Sequence, residues 1–207
     1  MGDATMTEQY FTQEPKAPHQ IISFPFSFRS HDFTFRTDTS VFSRSHVDRG
    51  TQLLLEALPL SFEKRVLDLG CGWGVVGCCM KAIWPAADVC LCDINQRAVE
   101  TAKLNLATNN LCATVIQSDI LESVDGSFDL IVTNPPIRAG KAVVYRFFAQ
   151  SANALTQDGR LLLVIRTKQG ADSAQSFLET LFSSVRIINR GSGFKVFSAA
   201  YPLSSTS

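Results

Sequence analysis

A loop rich in glycine is the first part of the sequence in which residue types and spacing suggest chemistry. The segment VLDLGCGWGVVG places Gly70, Gly72, Gly74 and Gly77 directly after a short predicted strand. Glycine adopts positive φ without strain and lets a ligand approach main-chain N–H groups, here at the positive end of the helix that follows. The segment therefore predicts a loop that binds a nucleotide-type cofactor.

Acidic residues near this loop distinguish between two kinds of cofactor. Residues 72–77 satisfy the G-x-G-x-x-G pattern, and Asp93 ends the next predicted strand, where a carboxylate can accept ribose hydroxyls, so NAD is one alternative. Asp68 stands just before the glycines, where it would repel a pyrophosphate but suit the amino and sulfonium groups of S-adenosylmethionine. Asp119, in QSDI, ends the third strand, where it can accept a hydrogen bond from an adenine amine. The three acids favour a positively charged nucleoside cofactor.

Two adjacent prolines follow an asparagine in NPPIRAGK, at the end of another predicted buried strand. Because proline has a fixed φ and no N–H donor, this segment presents the Asn134 side-chain oxygen and the Pro135 carbonyl as a rigid pair of acceptors. An exocyclic amine on a base is a poor nucleophile until acceptors take its protons and orient its lone pair. The segment is suited to that task, and a stiff turn without chemistry is the alternative.

The elements that must position these residues alternate short apolar strands with longer helices, which is typical of a mostly parallel sheet covered on both faces. The predicted strands are 65–69, 88–92, 113–117, 128–133 and 160–166, with a final pair at 185–189 and 194–200. The predicted helices are 75–83, 95–108, 141–155 and 171–182. No helix separates the final pair, so they are expected to pair antiparallel. The fold class is α/β: a Rossmann-like, doubly wound, mostly parallel sheet of seven strands with an antiparallel C-terminal strand.

An elaboration precedes this core. Phenylalanines alternate with other residues on both sides of a polar break at 30–32, which predicts a β-hairpin with one apolar face, and a helix then begins near Asp48. We expect one domain over 1–207, divided into a loose arm at 1–20, the hairpin and helix at 21–60, and the core at 61–203. The alternating residues are Phe24, Phe26, Phe28, Phe33 and Phe35.

Composition excludes several classes of protein. The 207 residues suffice to bury a core in one domain, and the 19 Lys and Arg balance the 19 Asp and Glu. No overall basic field attracts nucleic acid, so such a partner must be held by a local patch. Neither a signal peptide nor an apolar run of about 18 residues is found, so we expect a cytoplasmic protein that does not bind a membrane.

The cysteines do not form a metal-binding pattern. Six of them occur in apolar segments without paired C-x-x-C spacing, and only three histidines accompany them. We expect no metal, and we expect the cysteines to serve as small buried hydrophobic residues. They are Cys71, Cys78, Cys79, Cys90, Cys92 and Cys112.

Four segments resemble, in order and spacing, the successive motifs of class I S-adenosylmethionine-dependent methyltransferases: LDLGCGWGVVG, CDINQRAVETAKLN, QSDI and VTNPPIRAGK. More narrowly, TDTSVFSRSHVDRGTQLLLEAL upstream and the stretch from NPPIRAGK to RTKQGADS downstream are similar to the stand-alone catalytic module of the ribosomal RNA small-subunit guanine-N2 methyltransferase family. Arg166 and Thr167 depart from the family pattern, because relatives tend to carry a more basic or amide-rich stretch there.

The resemblance implies a methyltransferase domain that uses S-adenosyl-L-methionine and methylates guanine N2 in small-subunit ribosomal RNA. Methylation of a glutamine amide in a protein, and binding of a nucleotide or RNA without transfer, remain alternatives; the oligomeric state stays open. The catalytic residues implied are Asn134, Pro135 and Pro136. The cofactor-binding residues implied are Asp68, Gly70, Cys71, Gly72, Gly74, Asp93, Ile94, Asp119, Ile120 and Asn134.

A base must leave its stack to reach such a pocket, so the RNA substrate is expected to present unpaired or flipped nucleotides. Ile137 stands where many relatives have Tyr or Phe, so we expect stacking on the base to be weaker or to come from another residue, for which Phe42 is the candidate. The substrate-binding residues expected are Phe42, Ile137, Arg138, Lys141, Arg166 and Lys168, with Arg146 in the same basic patch. A second candidate patch consists of Arg29, Arg36, Arg44 and Arg49.

Overall fold

The computed structural model describes residues 21–38, 46–62 and 64–203. The strands in these residues are β1 Ile21–Phe28, β2 His31–Asp38, β3 Arg65–Leu69, β4 Asp88–Asp93, β5 Thr114–Gln117, β6 Phe128–Thr133, β7 Leu155–Arg166, β8 Phe182–Gly191 and β9 Phe194–Pro202. The helices are α1 Arg49–Glu56, α2 Val75–Ile83, α3 Gln96–Thr108, α4 Lys141–Ala154 and α5 Ala171–Leu178.

Seven strands form one sheet in the order β5-β4-β3-β6-β7-β9-β8, and β1 and β2 form a separate hairpin. The strands from β5 to β7 are parallel to one another, whereas β9 lies antiparallel between β7 and β8. The Rossmann-like sheet predicted from the sequence is confirmed, including its antiparallel C-terminal strand.

The order of the strands brings the chemically interesting segments together. The chain moves outward from β3 to β4 and β5 on one side, and then returns to place β6 on the other side of β3. Leu69 at the end of β3 is level with Cys92 on β4 and with Thr133 on β6. Asp93 and Asn134 therefore leave the sheet on either side of the glycine loop, at the point where ligands bind in sheets of this kind.

Both faces of the central strands are buried, which explains why β3, β4 and β6 are almost continuously apolar. Val66 and Leu130 face a core formed with the hairpin, α1, α2 and α3. Leu67 and Ile131 face a second core formed with α4 and α5. The loops at the carboxyl ends of the strands are thus supported from two sides.

The hairpin packs on α3 and on the glycine loop through the apolar face that the alternating phenylalanines predicted. Phe33 and Phe35 are buried, with 4% and 0% of their surfaces exposed. The ring of Trp73, from the glycine loop, meets Phe35 edge-on with 5.2 Å between the ring centres. The hairpin therefore supports the glycine loop.

Several boundaries differ from the sequence prediction, three of them for a clear structural reason. The hairpin turns at Arg29 and Ser30, which have φ of 46° and 64°, so the rest of the polar break already belongs to β2. β7 begins at Leu155 rather than 160, because a register shift lets its first residues pair with β6. α5 ends before the predicted 182, because buried Phe182 starts β8 and pairs with β9.

Candidate active site

A cavity of about 350 Å³ lies at the carboxyl ends of the central strands, and it brings together most of the predicted site residues. Gly74, Lys141 and Lys168 do not line it, and Phe42 lies outside the described residues. The predicted residues that line it are Asp68, Gly70, Cys71, Gly72, Asp93, Ile94, Asp119, Ile120, Asn134, Pro135, Pro136, Ile137, Arg138 and Arg166.

The loop after β3 has the backbone that its glycines predicted. Gly70, Gly72 and Gly74 have φ of 71°, 54° and 84°, in the left-handed region that favours glycine. A Cβ atom on Gly74 would also lie 2.9 Å from Cβ of Ala102, so glycine lets the loop pack directly on α3. Gly74 thus supports the loop through α3 and does not line the cavity, so its predicted contact with the cofactor stays a prediction.

Asp68 is a buried acid at the floor of the cavity, with 2% of its surface exposed. Its Oδ2 atom accepts the N–H of Gly77, at the start of α2, over 2.8 Å. The pKa of Asp68 is raised from 3.8 to about 7: burial raises it, the Gly77 hydrogen bond opposes the rise, and the charge of Asp93 adds to it. No Lys, Arg or His pairs with it in the described part of the chain. The site therefore favours a ligand that brings positive charge.

Asp93 holds the glycine loop from the end of β4. Its Oδ2 accepts the N–H of Gly72 over 2.8 Å, and its Oδ1 accepts that of Asn95 over 2.9 Å. Burial raises the pKa of Asp93, and these backbone hydrogen bonds offset part of the rise. With a further backbone hydrogen bond from Ile94, the two oxygens together keep one lone pair for a ribose hydroxyl. The ribose contact remains a prediction, and loop support is a second role that the sequence did not reveal.

Asp119 lines the cavity beyond the end of β5, where its neighbour Ile120 has a positive φ of 53°. Its Oδ2 accepts from the Arg146 guanidinium over 3.1 Å, and the same arginine lies 3.4 Å from Glu122. Arg146 was predicted in the phosphate patch, and these two carboxylates offset part of its charge. Its contact with phosphate stays a prediction.

Asn134 is anchored through its side-chain nitrogen. Nδ2 donates to Oγ1 of Thr51, on α1, over 3.0 Å. The preceding residue, Thr133, is also fixed, because its hydroxyl donates to the carbonyl of Leu69 over 2.7 Å. Oδ1 of Asn134 is thus the amide atom left to accept a hydrogen bond from a ligand in the cavity, as the sequence prediction requires.

The two prolines form a tight turn. Pro136 has φ −75° and ψ 79°, and the carbonyl of Pro135 accepts the N–H of Ile137 over 2.9 Å, which together define an inverse γ-turn. Pro135 therefore uses one lone pair within the chain and keeps the other for a substrate amine. Pro136 lines the cavity, but its own carbonyl accepts the N–H of Ala139.

Basic residues lie on one side of the cavity mouth. Arg138 and Arg166 line it, whereas exposed Lys168 lies in an adjoining depression formed with Gln169. Lys141 instead lies over the Tyr145 ring, with 5.1 Å between its Nζ atom and the ring centre. The predicted basic patch is therefore centred on 138, 166 and 168.

Two arginines of the second predicted patch have partners within the chain. The Arg29 guanidinium donates to the carbonyls of Leu58 and Pro59, and Arg49 pairs with Glu56 over 3.1 Å. Arg36 lies on β2, Arg44 lies outside the described residues, and the patch stays a prediction.

Several cavity residues were missed from the sequence. Asp48 and Thr51 reach the cavity from α1, where Asp48 was recognised only as the start of a helix. Phe194 lines the mouth, and its ring centre lies 5.7 Å from the Arg166 guanidinium carbon. A Cβ atom on Gly50 would lie 2.9 Å from the Phe194 ring, so α1 and β9 meet closely there. Only the pairing of β9 with β7, which the sequence did not specify, identifies Phe194 as a site residue.

No metal centre is found in the described ranges, where no three His, Cys, Asp or Glu side chains are grouped to hold an ion. Five cysteines are buried as predicted, and burial raises the pKa of the Cys90 thiol to about 11. Cys112 is exposed, which corrects its predicted burial. Among the described helices, none has the length and apolar character needed to span a membrane.

Comparison with known proteins agrees with this geometry. Residues 32–198 match the family model of the methyltransferase small domain. The chain is 37% identical to the uncharacterized protein YbxB of Bacillus subtilis, over 94% of this chain and 98% of that protein. It is 38% identical to ribosomal RNA small subunit methyltransferase C of Photobacterium profundum, over 69% of this chain and 43% of that protein. The chain spans about half the length of such methyltransferases.

A solved structure shows the same fold with ligands bound. The T. thermophilus 16S rRNA N2 G1207 methyltransferase RsmC, in complex with AdoMet and guanosine, is similar with a TM-score of 0.80 and 29% identity, over 90% of this chain and 52% of that chain. The fold and cavity thus define a class I S-adenosylmethionine-dependent methyltransferase. The chain belongs to the methyltransferase small domain family, with S-adenosylmethionine as its cofactor, and the NAD alternative is set aside.

Proposed function

We propose that this chain transfers a methyl group from S-adenosylmethionine to the exocyclic N2 amine of a guanine in small-subunit ribosomal RNA. The observation that carries the proposal is the anchoring of Asn134 by Thr51, which leaves an acceptor oxygen beside the same cavity that Asp68 and Asp93 line. Relatives named for small-subunit ribosomal RNA methylation, including one for N2 of G1207, support this target.

The acids and the glycine loop are suited to hold the cofactor. Asp68, which is buried and has no positively charged partner in the described part of the chain, is proposed to attract the positively charged methionine end of the cofactor. Asp93 is proposed to accept the ribose hydroxyls. Asp119 is proposed to accept from the adenine amine with Ile120 beside the ring. Bound S-adenosylmethionine supplies a methyl group already activated by a positively charged sulfur. The chain therefore has only to bind, orient and exclude water.

The Asn-Pro-Pro segment is proposed to orient the amine. Asn134 Oδ1 and the second lone pair of the Pro135 carbonyl accept the two N–H groups, which turns the nitrogen lone pair toward the methyl group. Positioning then supplies most of the rate. No strong base is required, because the nitrogen becomes positively charged as the N–C bond forms and the S–C bond breaks, and its acidic proton passes to solvent when the product leaves the site.

The base and its flanking phosphates are proposed to bind at the mouth of the cavity. Ile137 and Phe194 offer an apolar and an aromatic surface for a flipped base. Arg138, Arg166 and Lys168 are proposed to hold phosphates, since all three are exposed around that mouth.

The family match over 32–198 spans the hairpin and the sheet, so we propose that both act as one methyltransferase domain within 1–207. We propose the cytoplasm as the location of this reaction, because the proposed substrate is ribosomal RNA.

Isotopically labelled S-adenosylmethionine tests the proposal. The protein is incubated with small ribosomal subunits, with protein-free small-subunit RNA and with a glutamine-containing peptide, and labelled nucleosides are identified by mass spectrometry. We expect N2-methylguanosine. Asn134→Ala should lower the single-turnover rate by roughly two to four orders of magnitude, with cofactor affinity within a few-fold of wild type.

Other outcomes would assign the chain a different function. Label in the peptide but not in RNA would keep the amine chemistry and overturn the nucleic-acid assignment, because a planar amide offers the same two N–H groups. Cofactor and RNA binding without any transfer would indicate a binding protein. A wild-type rate for Asn134→Ala would reduce the Asn-Pro-Pro segment to a stiff turn.

A further inference from the structure

We infer that Asp48 and Thr51 determine which end of the Asn134 amide faces the substrate, and thus act as positioning residues for methyl transfer. The inference rests on the proposed function and deepens it. A side-chain amide can rotate to present either oxygen or N–H₂, and only the oxygen can accept a proton of a substrate amine. Something in the fold must select the orientation.

The selection comes from the single hydrogen of the Thr51 hydroxyl. Thr51 Oγ1 lies 2.7 Å from Oδ2 of Asp48, and a carboxylate only accepts, so the hydroxyl donates to it. Thr51 Oγ1 can then interact with Asn134 only as an acceptor, through its lone pairs. At 3.0 Å from Thr51 Oγ1, the Asn134 amide must present its N–H₂ group, and its oxygen is directed elsewhere.

Burial of Thr51 stabilises this orientation of the Asn134 amide. Thr51 has 5% of its surface exposed, so water does not readily replace either partner. An inverted Asn134 would place its oxygen against the Thr51 lone pairs and leave both atoms unsatisfied. It would also present hydrogens to the hydrogens of the substrate amine, which cannot orient the lone pair.

Asp48 is itself held in place by the start of α1. Its Oδ1 accepts the main-chain N–H of Thr51 over 3.1 Å, which is the usual contact of a helix N-cap. One carboxylate therefore caps the helix with one oxygen and sets the direction of the Thr51 hydroxyl with the other. Thr51 and Asn134 are 83 residues apart in sequence, so this contact ties α1 to the end of β6.

Apolar packing, more than the Thr51 hydroxyl, holds α1 in place. Leu53, Leu54 and Leu55 bury the helix against the core, each with 2% or less of its surface exposed. Removal of the Thr51 hydroxyl should therefore leave the helix in place while releasing the Asn134 amide to rotate.

Two variants at Thr51 separate hydrogen bonding from packing. Thr51→Val has nearly the same shape without a hydroxyl, and we expect its single-turnover rate to fall roughly 10- to 100-fold, with cofactor affinity and RNA affinity within about twofold of wild type. Thr51→Ser keeps the hydroxyl and should restore most of the rate. Thr101→Val is the matched control, because it removes a buried hydroxyl bonded only to its own helix, and it should leave the rate unchanged.

Asp48→Asn gives a more specific test. Asparagine still caps a helix, but its amide nitrogen would donate to Thr51, whose hydrogen would then turn to Asn134 and invert that amide. We expect the rate to fall at least as far as in Thr51→Val, with a melting temperature near that of wild type. Combining Asp48→Asn with Thr51→Val should add little, because both act through one amide.

A second readout needs no substrate. In protein with 15N-labelled asparagine, one Asn134 side-chain N–H should exchange slowly with solvent, and this protection should be lost in Thr51→Val. The Asn134→Ala variant identifies the signal. If wild-type protein methylates RNA and Thr51→Val matches its rate, the positioning role is overturned while the proposed function stands. If wild-type protein methylates nothing, the proposed function fails, and an Asn134 amide without protection overturns the inferred orientation as well.

Discussion

Asn105 donates a hydrogen bond from Nδ2 to the main-chain carbonyl of Trp73, over 2.7 Å, from a fully buried position on α3. The same nitrogen donates to the carbonyl of Arg36 over 2.8 Å, and Oδ1 accepts the Arg36 N–H over 2.7 Å. One amide thus joins the glycine loop to the second strand of the hairpin, so the elaboration and the cofactor loop share an anchor.

Replacing this anchor should affect both stability and cofactor binding. Asn105→Ala leaves the Trp73 carbonyl and two Arg36 groups without their partner, and we expect the free energy of unfolding to fall by about 1 to 3 kcal/mol. Because the loop loses its support, the affinity for S-adenosylmethionine should also fall several-fold. Denaturant unfolding and isothermal calorimetry measure the two effects.

Asn109→Ala is the control for this prediction. Asn109 bonds the N–H and the carbonyl of Thr34 in the same hairpin, but it does not contact the loop. It should weaken hairpin docking and leave the dissociation constant of the cofactor unchanged. Equal losses of cofactor affinity in both variants would mean that the hairpin, rather than the Trp73 contact, supports the loop.

Cofactor affinity should increase with pH. The pKa of Asp68 is raised to about 7, chiefly by burial, so the carboxyl group must lose its proton before it can attract a cationic ligand. If the ionised form binds, the association constant should rise roughly tenfold between about pH 6 and pH 8 and then level off. Calorimetric titrations across this range test the prediction. Asp68→Asn should bind more weakly and lose the dependence, whereas His46→Asn, at another cavity residue, should keep it.

The contribution of Asp68 to the free energy of unfolding should decrease with pH, whereas cofactor affinity increases. The pKa of Asp68 is raised from an ordinary value of 3.8, so between about pH 4 and 7 the folded chain keeps a proton that the unfolded chain has lost. The contribution of this group to the free energy of unfolding therefore falls as pH rises through that window. In Asp68→Asn this part of the pH dependence should disappear, and an unaltered profile would show that Asp68 titrates normally.

The sequence predicted the elements that local patterns determine. Strands β3, β4 and β6 and helix α2 were found within one residue of their ends, because continuous apolar runs and glycine turns mark them locally. The acids at the strand ends were found for the same reason, since topology places the carboxyl ends of parallel strands side by side.

Partners distant in sequence were not predictable in this way. The pairing of Arg146 with Asp119 depends on the packing of α4 beside the loop after β5, and it gives a partner within the chain to an arginine that the sequence assigned to RNA. Thr51 reaches Asn134 only because α1 packs across the sheet end. No local pattern marks such a contact, whereas the N-cap at Asp48 was visible in the sequence.

Basic residues at the mouth should contribute to RNA binding through charge. Arg166→Ala and Lys168→Ala should each weaken RNA affinity and lower the slope of log affinity against log salt by about one or less, because each loses one phosphate contact. Transfer at saturating RNA should persist. Lys64→Ala is the control, since this exposed lysine pairs with Asp129 at the opposite end of the sheet. Fluorescence anisotropy at several salt concentrations measures the slopes, and an equal effect of Lys64→Ala would contradict a local patch.

Phe194 should bind the target base by stacking. Its ring lines the mouth of the cavity beside Arg166, and α1 holds it closely at Gly50. Phe194→Ala should weaken RNA binding by about 1 to 3 kcal/mol, the range for loss of one stacked base, whereas Phe194→Tyr should retain it. Phe62→Ala is the control, because Phe62 packs on Trp84, which lies outside the cavity, with 5.4 Å between the ring centres.

An RNA that lacks the target base separates stacking from folding effects. If Phe194 contacts the base, wild-type protein and Phe194→Ala should bind an abasic RNA with equal affinity, because neither has a base to stack on. The difference should reappear when guanine is restored at that position. A difference that persists on the abasic RNA would show that the ring acts by holding Arg166 or α1 in place, and the aromatic contact to the base would have to come from another residue.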